Sequence, residues 1–159
     1  MSTIQQCEAE IQVLTVDETF GDLKVSSSRS NYESIHAIEA ELCAYRRGSL
    51  RIRIDFDKHM IFWKDSRQWN NNFFRSVSPI RMTQFLQALP STHLLEWHQG
   101  NGEDPSETYP ACIPSSWLVS VFFEEESIVR FSGQNSYPKE WKRFKDLLES
   151  VARIPFCLR

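Results

Sequence analysis

The sequence lacks the features that would place it in several large classes of protein. Its 159 residues include 5 glycines and 7 prolines, too few for a collagen-like or low-complexity chain. No apolar run approaches the roughly 20 residues that a membrane helix needs. The N-terminus is acidic and polar, whereas a signal peptide would be basic and then apolar. We therefore expect a globular, cytoplasmic chain without a membrane partner.

Motifs for metal, nucleotide or nucleophilic chemistry are also missing. Cys7, Cys43, Cys112 and Cys157 form no C-x-x-C pair, so we expect reduced, mostly structural thiols. The chain has no G-x-S-x-G, H-E-x-x-H, G-x-G-x-x-G or phosphate-loop motif. The sequence therefore leans against an enzyme, and we assign no catalytic residue, no metal ligand and no cofactor.

Charged residues are segregated along the chain. Residues 1–45 carry 8 acids and 2 bases, residues 46–81 carry 9 bases and 3 acids, residues 82–129 carry 7 acids and no base, and residues 130–159 carry 7 bases and 3 acids. Such blocks could form a dipolar surface that attracts a charged partner, or neighbouring strands could bring opposite blocks together. We expect the second arrangement, because paired strands commonly exchange opposite charges.

Alternation of apolar and polar residues predicts an antiparallel sheet in a single domain spanning residues 1–159. An amphipathic helix through residues 35–45 is the alternative for the start of this pattern. The Glu124-Glu125-Glu126 run is expected to be the solvated tip of a hairpin. The predicted strands cover 38–45, 50–56, 59–64, 94–98, 117–123 and 128–132, with weaker candidates at 11–15 and 23–27.

Helical spacing of apolar residues follows two prolines. Ser78 and Pro79 are typical of an N-cap and a first helical residue, and Pro90 ends this helix. A second amphipathic helix is predicted to begin at Pro138 and to end before Pro155, with a basic outer face. The elements predict an α+β fold: a twisted antiparallel sheet of about six or seven strands with two amphipathic helices packed on it.

The last third of the chain resembles small uncharacterised bacterial α+β proteins. The features that carry the resemblance are a hairpin led by Trp117, a G-x-N-x-Y-P turn at 133–138 and a terminal amphipathic helix. The Glu96-Trp97 pair and the long loop at 100–114 are also similar. The resemblance implies a fold and no activity.

The G-x-N-x-Y-P turn has a structural interpretation. Gly133 would permit a backbone conformation that is closed to residues with a side chain, and Asn135 would hydrogen-bond to nearby backbone. A functional alternative is that Asn135 and Tyr137 present polar groups to an anion beside the helix N-terminus. We favour the structural interpretation.

The histidines keep a catalytic function as an alternative to binding. On a strand, His93 would point away from Glu96 and His98, so His98 with Glu96 is the one compatible pair there. His59 or His98 beside a carboxylate in a sheet cleft would supply general acid–base chemistry. Cys43 could also meet His36 or His59, although random proximity would explain such a contact equally well.

The most unusual segment, 56–75, interleaves aromatic rings with basic and amide side chains. Such side chains give a large contact area at small entropic cost, and arginine stacks on aromatic rings. We expect Phe56, Phe62 and about half of the other rings to fill the core, and the loop around Trp69 to be exposed. The predicted partner-binding residues are Arg67, Trp69, Asn70, Asn71, Asn72 and Arg75.

These features favour a non-catalytic binding protein that occupies or modulates a macromolecular partner, most simply a protein. Small accessory, immunity and phage-encoded anti-defence (anti-CRISPR-like) inhibitor proteins are of this kind. A module that binds single-stranded nucleic acid through residues 46–75 is a further alternative, because exposed rings stack on bases and basic side chains neutralise phosphates.

Overall fold

The computed structural model describes residues 28–97, 115–124 and 126–158, with the backbone alone described for 28–30. The strands in chain order are β1 (Ile35–Ala44), β2 (Gly48–Asp55), β3 (Met60–Asp65), β4 (Phe73–Ser76), β5 (Ser115–Phe123) and β6 (Ile128–Gln134). The helices are α1 (Ser28–Glu33), α2 (Pro79–Ala88) and α3 (Trp141–Ala152), and 3-10 helices cover Trp69–Asn71, Leu89–Thr92 and Leu94–Glu96.

The six strands form one antiparallel sheet in the order β4-β3-β2-β1-β5-β6. The helices pack against one face of it, so the predicted α+β class and antiparallel sheet are confirmed. The weaker strand candidates at 11–15 and 23–27, and the loop at 100–114, lie outside the described residues.

Strand alternation places one set of side chains in the core and the other set on the opposite, open face. Ile38, Ala40 and Leu42 of β1 are buried, and the register sets Leu42 opposite Leu50 of β2 on one side and Trp117 of β5 on the other. The helical alternative for this segment is wrong, because a period of two residues buries every second side chain of a strand on one face.

The open face carries an ion-pair ladder between β1 and β2. The Arg51 guanidinium lies 2.9 Å from the Glu41 carboxylate and 3.6 Å from the Glu39 carboxylate, and Arg53 lies 3.5 Å from Glu39. The acidic first block and the basic second block are therefore neighbours here, as expected of paired strands.

The two predicted helices are present with altered boundaries. α2 ends at Ala88, and Pro90, which was expected to end it, lies inside the 3-10 helix Leu89–Thr92 that continues it. Met82, Phe85 and Leu89 are buried along α2 and its 3-10 extension. The last helix begins at Trp141 rather than at Pro138, whose carbonyl oxygen accepts a hydrogen bond from the Trp141 amide.

The strand predicted at 94–98 is wrong over its described part. Leu94–Glu96 is a 3-10 helix that follows His93, a residue with φ of 50°. Leu94 is buried, so the short apolar run fills the core as a helical turn. Such a run is ambiguous from periodicity alone. Among the described residues no helix has both the length and the apolar character needed to span a bilayer.

The G-x-N-x-Y-P turn closes an aromatic cluster over the sheet. Asn135 has a left-handed φ of 55°, and its side-chain oxygen accepts a hydrogen bond from the Ser115 amide at 2.9 Å. The Trp117 indole donates to the Ser136 carbonyl at 2.7 Å, and the Tyr137 ring lies 4.9 Å from the Trp141 ring. These contacts support the structural interpretation of the turn.

Candidate functional site: an arginine–aromatic end of the sheet

Two loops meet at one end of the sheet. The turn between β1 and β2 contains Arg46 and Arg47, and the segment after β3 leads to Trp69. The Ser66 amide donates to the Ser49 carbonyl at 2.9 Å, while the Ser66 hydroxyl accepts from the Ser49 amide at 2.7 Å. This reciprocal pair fixes the position of one loop relative to the other.

Gly48 allows the close approach of these loops. Its φ is +83°, in the left-handed region that glycine occupies without steric cost. A Cβ atom there would lie 2.5 Å from the Ser66 hydroxyl oxygen and 2.6 Å from the Arg67 Cγ. The Arg67 stem therefore packs directly over the glycine backbone.

Asp65 organises the loop that carries Trp69. Its carboxylate accepts hydrogen bonds from the amides of Arg67 at 2.9 Å and Gln68 at 3.2 Å. Its own amide donates to the Asn72 side-chain oxygen at 2.7 Å, which ties the end of the loop to its beginning. The 3-10 helix Trp69–Asn71 is held between these bonds.

The resulting surface displays two aromatic rings and three arginines. Trp69 is 82% exposed and Tyr45 is 65% exposed, with the Arg46 guanidinium 5.2 Å from the centre of the Tyr45 ring. None of the three arginines forms an ion pair with a residue that the structure describes. We call this surface the arginine–aromatic end; it consists of Tyr45, Arg46, Arg47, Arg67 and Trp69.

An open cleft of about 510 Å³ lies beside this surface, between the β2 and β3 ends and the segment that follows α3. We call it the terminal cleft. Its polar lining comes from the two loops, and its apolar lining from the strands and the C-terminal segment. The lining residues are Arg47, Leu50, Trp63, Asp65, Arg67, Gln68, Asn71, Ile154, Pro155, Cys157 and Leu158.

The residues predicted from the sequence to bind a partner fall in different places. Arg67 and Asn71 line the terminal cleft, and Trp69 and Asn70 are exposed on the same loop. Asn72 is bound to the Asp65 amide. Their role in binding stays a prediction.

Arg75 lies apart from the other predicted residues. Its guanidinium donates to the Ala152 carbonyl at the end of α3 and lies 5.2 Å from the centre of the Phe73 ring. It thereby fastens the edge strand β4 to the last helix.

Two exposed rings mark a second surface on the open face of the sheet. Phe62 of β3 and Phe74 of β4 are directly paired and are 39% and 72% exposed. The expectation that Phe62 fills the core is wrong, because its register places it on the face opposite Ile61 and Trp63. With Arg51, Arg53 and Lys64 the two rings line a shallow groove of about 450 Å³.

The histidines of the described ranges lie away from both depressions. His93 lies 3.1 Å from the Glu96 carboxylate, and His36 lies 3.3 Å from that of Asp57, each pair at the surface. The strand argument that separated His93 from Glu96 is wrong, because the 3-10 turn brings them together. His59 occupies the turn before β3, and His98 lies outside the described residues.

The cysteines do not form the arrangement considered from the sequence. Cys43 and Cys157 are free and exposed. Cys43 is paired with Ser49 near the end of β1, whereas His36 lies at the beginning of that strand and His59 next to β3. Cys7 and Cys112 lie outside the described ranges.

Sequence reasoning missed Tyr45 as a site residue and placed Arg46 and Arg47 only in the basic segment 46–75 of the nucleic-acid alternative. It did not predict that the Tyr-Arg-Arg-Gly turn lies against Arg67. Its approach to Arg67 depends on the β2–β3 register, which places Leu50 opposite Asp65. The exposed Tyr-Arg-Arg combination in a tight turn was the signal that could have indicated it.

Comparison with known proteins does not assign a function, so the function is inferred from the structural features described above. No protein-family model matches the chain, and no curated protein sequence matches it at a significant level.

Proposed function

We propose that this is a non-catalytic binding protein that holds a macromolecular partner, most simply a protein, through the arginine–aromatic end. One observation carries the proposal: Trp69 is 82% exposed on the loop that contains Arg67, and Arg46, Arg47 and Arg67 form no ion pair with an acidic residue that the structure describes. Tryptophan, tyrosine and arginine are the residues most enriched in binding hot spots. An accessory, immunity or inhibitor protein would act in this way.

The scaffold supports such a surface because its loops are already held in place. Ser49 and Ser66 bond reciprocally, and Asp65 fixes both ends of the Trp69 loop. A partner would therefore order few additional backbone residues on binding, which lowers the entropic cost. Truncation to alanine of a tryptophan that forms a binding hot spot costs about 2 kcal/mol or more.

A protein partner fits the distribution of charge better than a nucleic acid does. The Arg51 and Arg53 side chains of the basic segment are neutralised by Glu39 and Glu41 on the neighbouring strand. Those two arginines also line the groove beside Phe62 and Phe74, so its basic side chains are largely paired. Arg46, Arg47 and Arg67, which form no ion pair with a described residue, lie together on two adjoining loops, whereas single-stranded nucleic acid is usually bound along a basic groove that follows the phosphates.

A capture experiment with matched variants tests the proposal. The wild type, the double variant Trp69→Ala with Arg67→Ala, and the variant Phe74→Ala would be immobilised and exposed to the source-cell extract. Quantitative mass spectrometry would compare the captured proteins, and the partner would then be purified for direct binding. We expect the double variant to bind it at least about 30-fold more weakly, which corresponds to about 2 kcal/mol.

The control variant Phe74→Ala removes another highly exposed ring, on a different surface, so it should retain the partner. Capture that the double variant does not reduce would contradict the proposal. Capture that disappears after nuclease treatment and decreases steeply with salt would instead indicate a nucleic acid.

A further inference from the structure

We infer that the terminal cleft receives an acidic segment of the partner protein, with an apolar side chain inserted between the sheet and the C-terminal segment and flanking carboxylates on Arg47 and Arg67. This inference rests on the proposed function and names the chemistry of the partner that the same end of the sheet would recognise.

The floor of the cleft is apolar and firmly held. Trp63 is buried, with its ring stacked on Phe73 at 6.1 Å and edge-on to Phe156 at 6.1 Å. Leu50, which also lines the cleft, is buried, and Leu158 contributes a partly buried side chain from the C-terminal segment. An apolar side chain placed here would exchange water for contacts with a preformed surface.

The rim of the cleft carries an excess of positive charge. Arg47 and Arg67 both line it, and Asp65 is the one acid among the lining residues. The Asp65 carboxylate accepts hydrogen bonds from the amides of its own loop and forms no ion pair with either guanidinium. Carboxylates of a ligand would supply the missing partners, and arginine binds them with two parallel hydrogen bonds.

Two side-chain amides, those of Gln68 and Asn71, also line the cleft. The Asn71 side-chain nitrogen donates to the Gln68 side-chain oxygen, which orients both amides at the cleft. This contact leaves the Gln68 amino group as a donor for a carboxylate or a backbone carbonyl of the ligand.

The size and openness of the site fit a short segment of chain. The volume of about 510 Å³ lies in the range of roughly 300–1,000 Å³ that is usual for ligand pockets. Tyr45 and Trp69 are exposed and lie two residues from Arg47 and Arg67, respectively, so they are available to contact residues that flank the inserted segment.

Direct binding of defined peptides tests the inference. The fluorescein-labelled peptide EELFEE would be compared by fluorescence anisotropy with QQLFQQ, which lacks the charges, and with EESSEE, which lacks the apolar pair. We expect EELFEE to bind and each control peptide to bind at least tenfold more weakly. Equal binding of EELFEE and QQLFQQ, or no binding of EELFEE, overturns the inference.

Variants of the protein locate the binding. Arg47→Gln with Arg67→Gln should weaken the binding of EELFEE at least tenfold, and Leu158→Asp should do the same by placing a negative charge in the cleft. Lys142→Gln removes one positive charge from the exposed face of α3 and should leave the affinity unchanged. An equal loss with Lys142→Gln would show general charge attraction and overturn the inference.

The cleft thiol gives an independent measure of occupancy. Cys157 lines the cleft, while Cys43 is exposed at the end of β1 and serves as an internal reference. Bound EELFEE should slow alkylation of Cys157 by iodoacetamide at least threefold and leave Cys43 unchanged. Peptide binding without protection of Cys157, or protection by a dT oligomer and not by EELFEE, overturns the inference.

Failure of this inference and failure of the proposed function give different results. A purified partner that loses affinity with Trp69→Ala and Arg67→Ala but tolerates Leu158→Asp would overturn the cleft inference and leave the proposed function standing. A partner that tolerates all of these substitutions would overturn both.

Discussion

Glycine is required at position 133 because there is no room for a side chain, and not because of its backbone conformation. The expectation that it adopts a conformation closed to other residues is wrong, since Gly48 is the glycine with positive φ within the described ranges. A Cβ at Gly133 would lie 2.6 Å from the Trp117 indole nitrogen. The left-handed position in the turn belongs to Asn135 instead, a residue that tolerates this conformation.

We predict that Gly133→Ala destabilises the protein by about 1–3 kcal/mol, the usual cost of overpacking a core. The indole cannot move away freely, because Trp117 is buried and bonded to the Ser136 carbonyl. Urea unfolding followed by circular dichroism measures the change. Ser132→Ala, at the neighbouring exposed position, should change stability by less than about 0.5 kcal/mol; equal effects of the two substitutions would contradict this account.

Tyr32 provides a prediction that depends on pH. Burial raises the pKa of its hydroxyl above the ordinary value of 10.0, the Leu95 amide that donates to it at 3.1 Å opposes the rise, and the Glu96 charge adds to it. As pH rises, the Tyr32 hydroxyl therefore loses its proton at a lower pH in the unfolded chain than in the folded protein. The stability that the group contributes is complete below about pH 10 and declines at higher pH.

Tyr32→Phe should cost about 1 kcal/mol at pH 7, because the Leu95 amide loses its acceptor. The difference in free energy of unfolding between wild type and variant should then narrow above pH 10. Urea unfolding of both proteins at pH 7 and at pH 10.5 measures it, since other titrating groups affect both equally. A difference that widens with pH would contradict the burial of the Tyr32 hydroxyl.

At the scale of elements, the β1–β2 hairpin combines a buried apolar face with a charged open face. The Glu41 and Arg51 side chains are directly opposite each other and form the shortest ion pair of the ladder, at 2.9 Å. Both remain partly accessible to water, so the pair sets strand register and surface charge more than it adds stability.

A double-mutant cycle of Glu41→Ala and Arg51→Ala should give a coupling energy of about 0.2–1 kcal/mol. Urea denaturation is the suitable measurement, because guanidinium chloride would screen the charges. The coupling should shrink in 1 M sodium chloride. A coupling that is well above this range, or that salt leaves unchanged, would show that the pair is effectively buried.

The helices and strands also show which sequence patterns were sufficient to predict secondary structure. Alternation over residues 38–45 and 50–56 identified β1 and β2, and proline with an apolar stripe identified α2. β4 has four residues, of which Phe73 and Phe74 are both apolar, and so it offers no alternation to detect. Leu94–Glu96 is shorter still, and packing rather than local pattern decides its conformation.

For the molecule as a whole, the fold class could be predicted from local sequence patterns. The site could not, because it depends on the register between strands that are paired in the sheet. The exposure of Trp69 was expected from its loop, and the structure shows it. The approach of Arg47 to Arg67, and of both to Leu158, depends on the pairing of β2 with β3 and on the path of the chain after α3. Neither relation is encoded in the spacing of nearby residues.

The strand order has a consequence for the route of assembly. β1 to β4 can pair as successive hairpins. β5, by contrast, pairs with β1 although the two strands are far apart in the sequence, with Trp117 opposite Leu42. Until then the longest strand, β1, presents free amides and carbonyls to its surroundings, and such an edge invites pairing between copies. A nascent chain that stalls before Ser115 would therefore be the form most prone to aggregate and most dependent on chaperones.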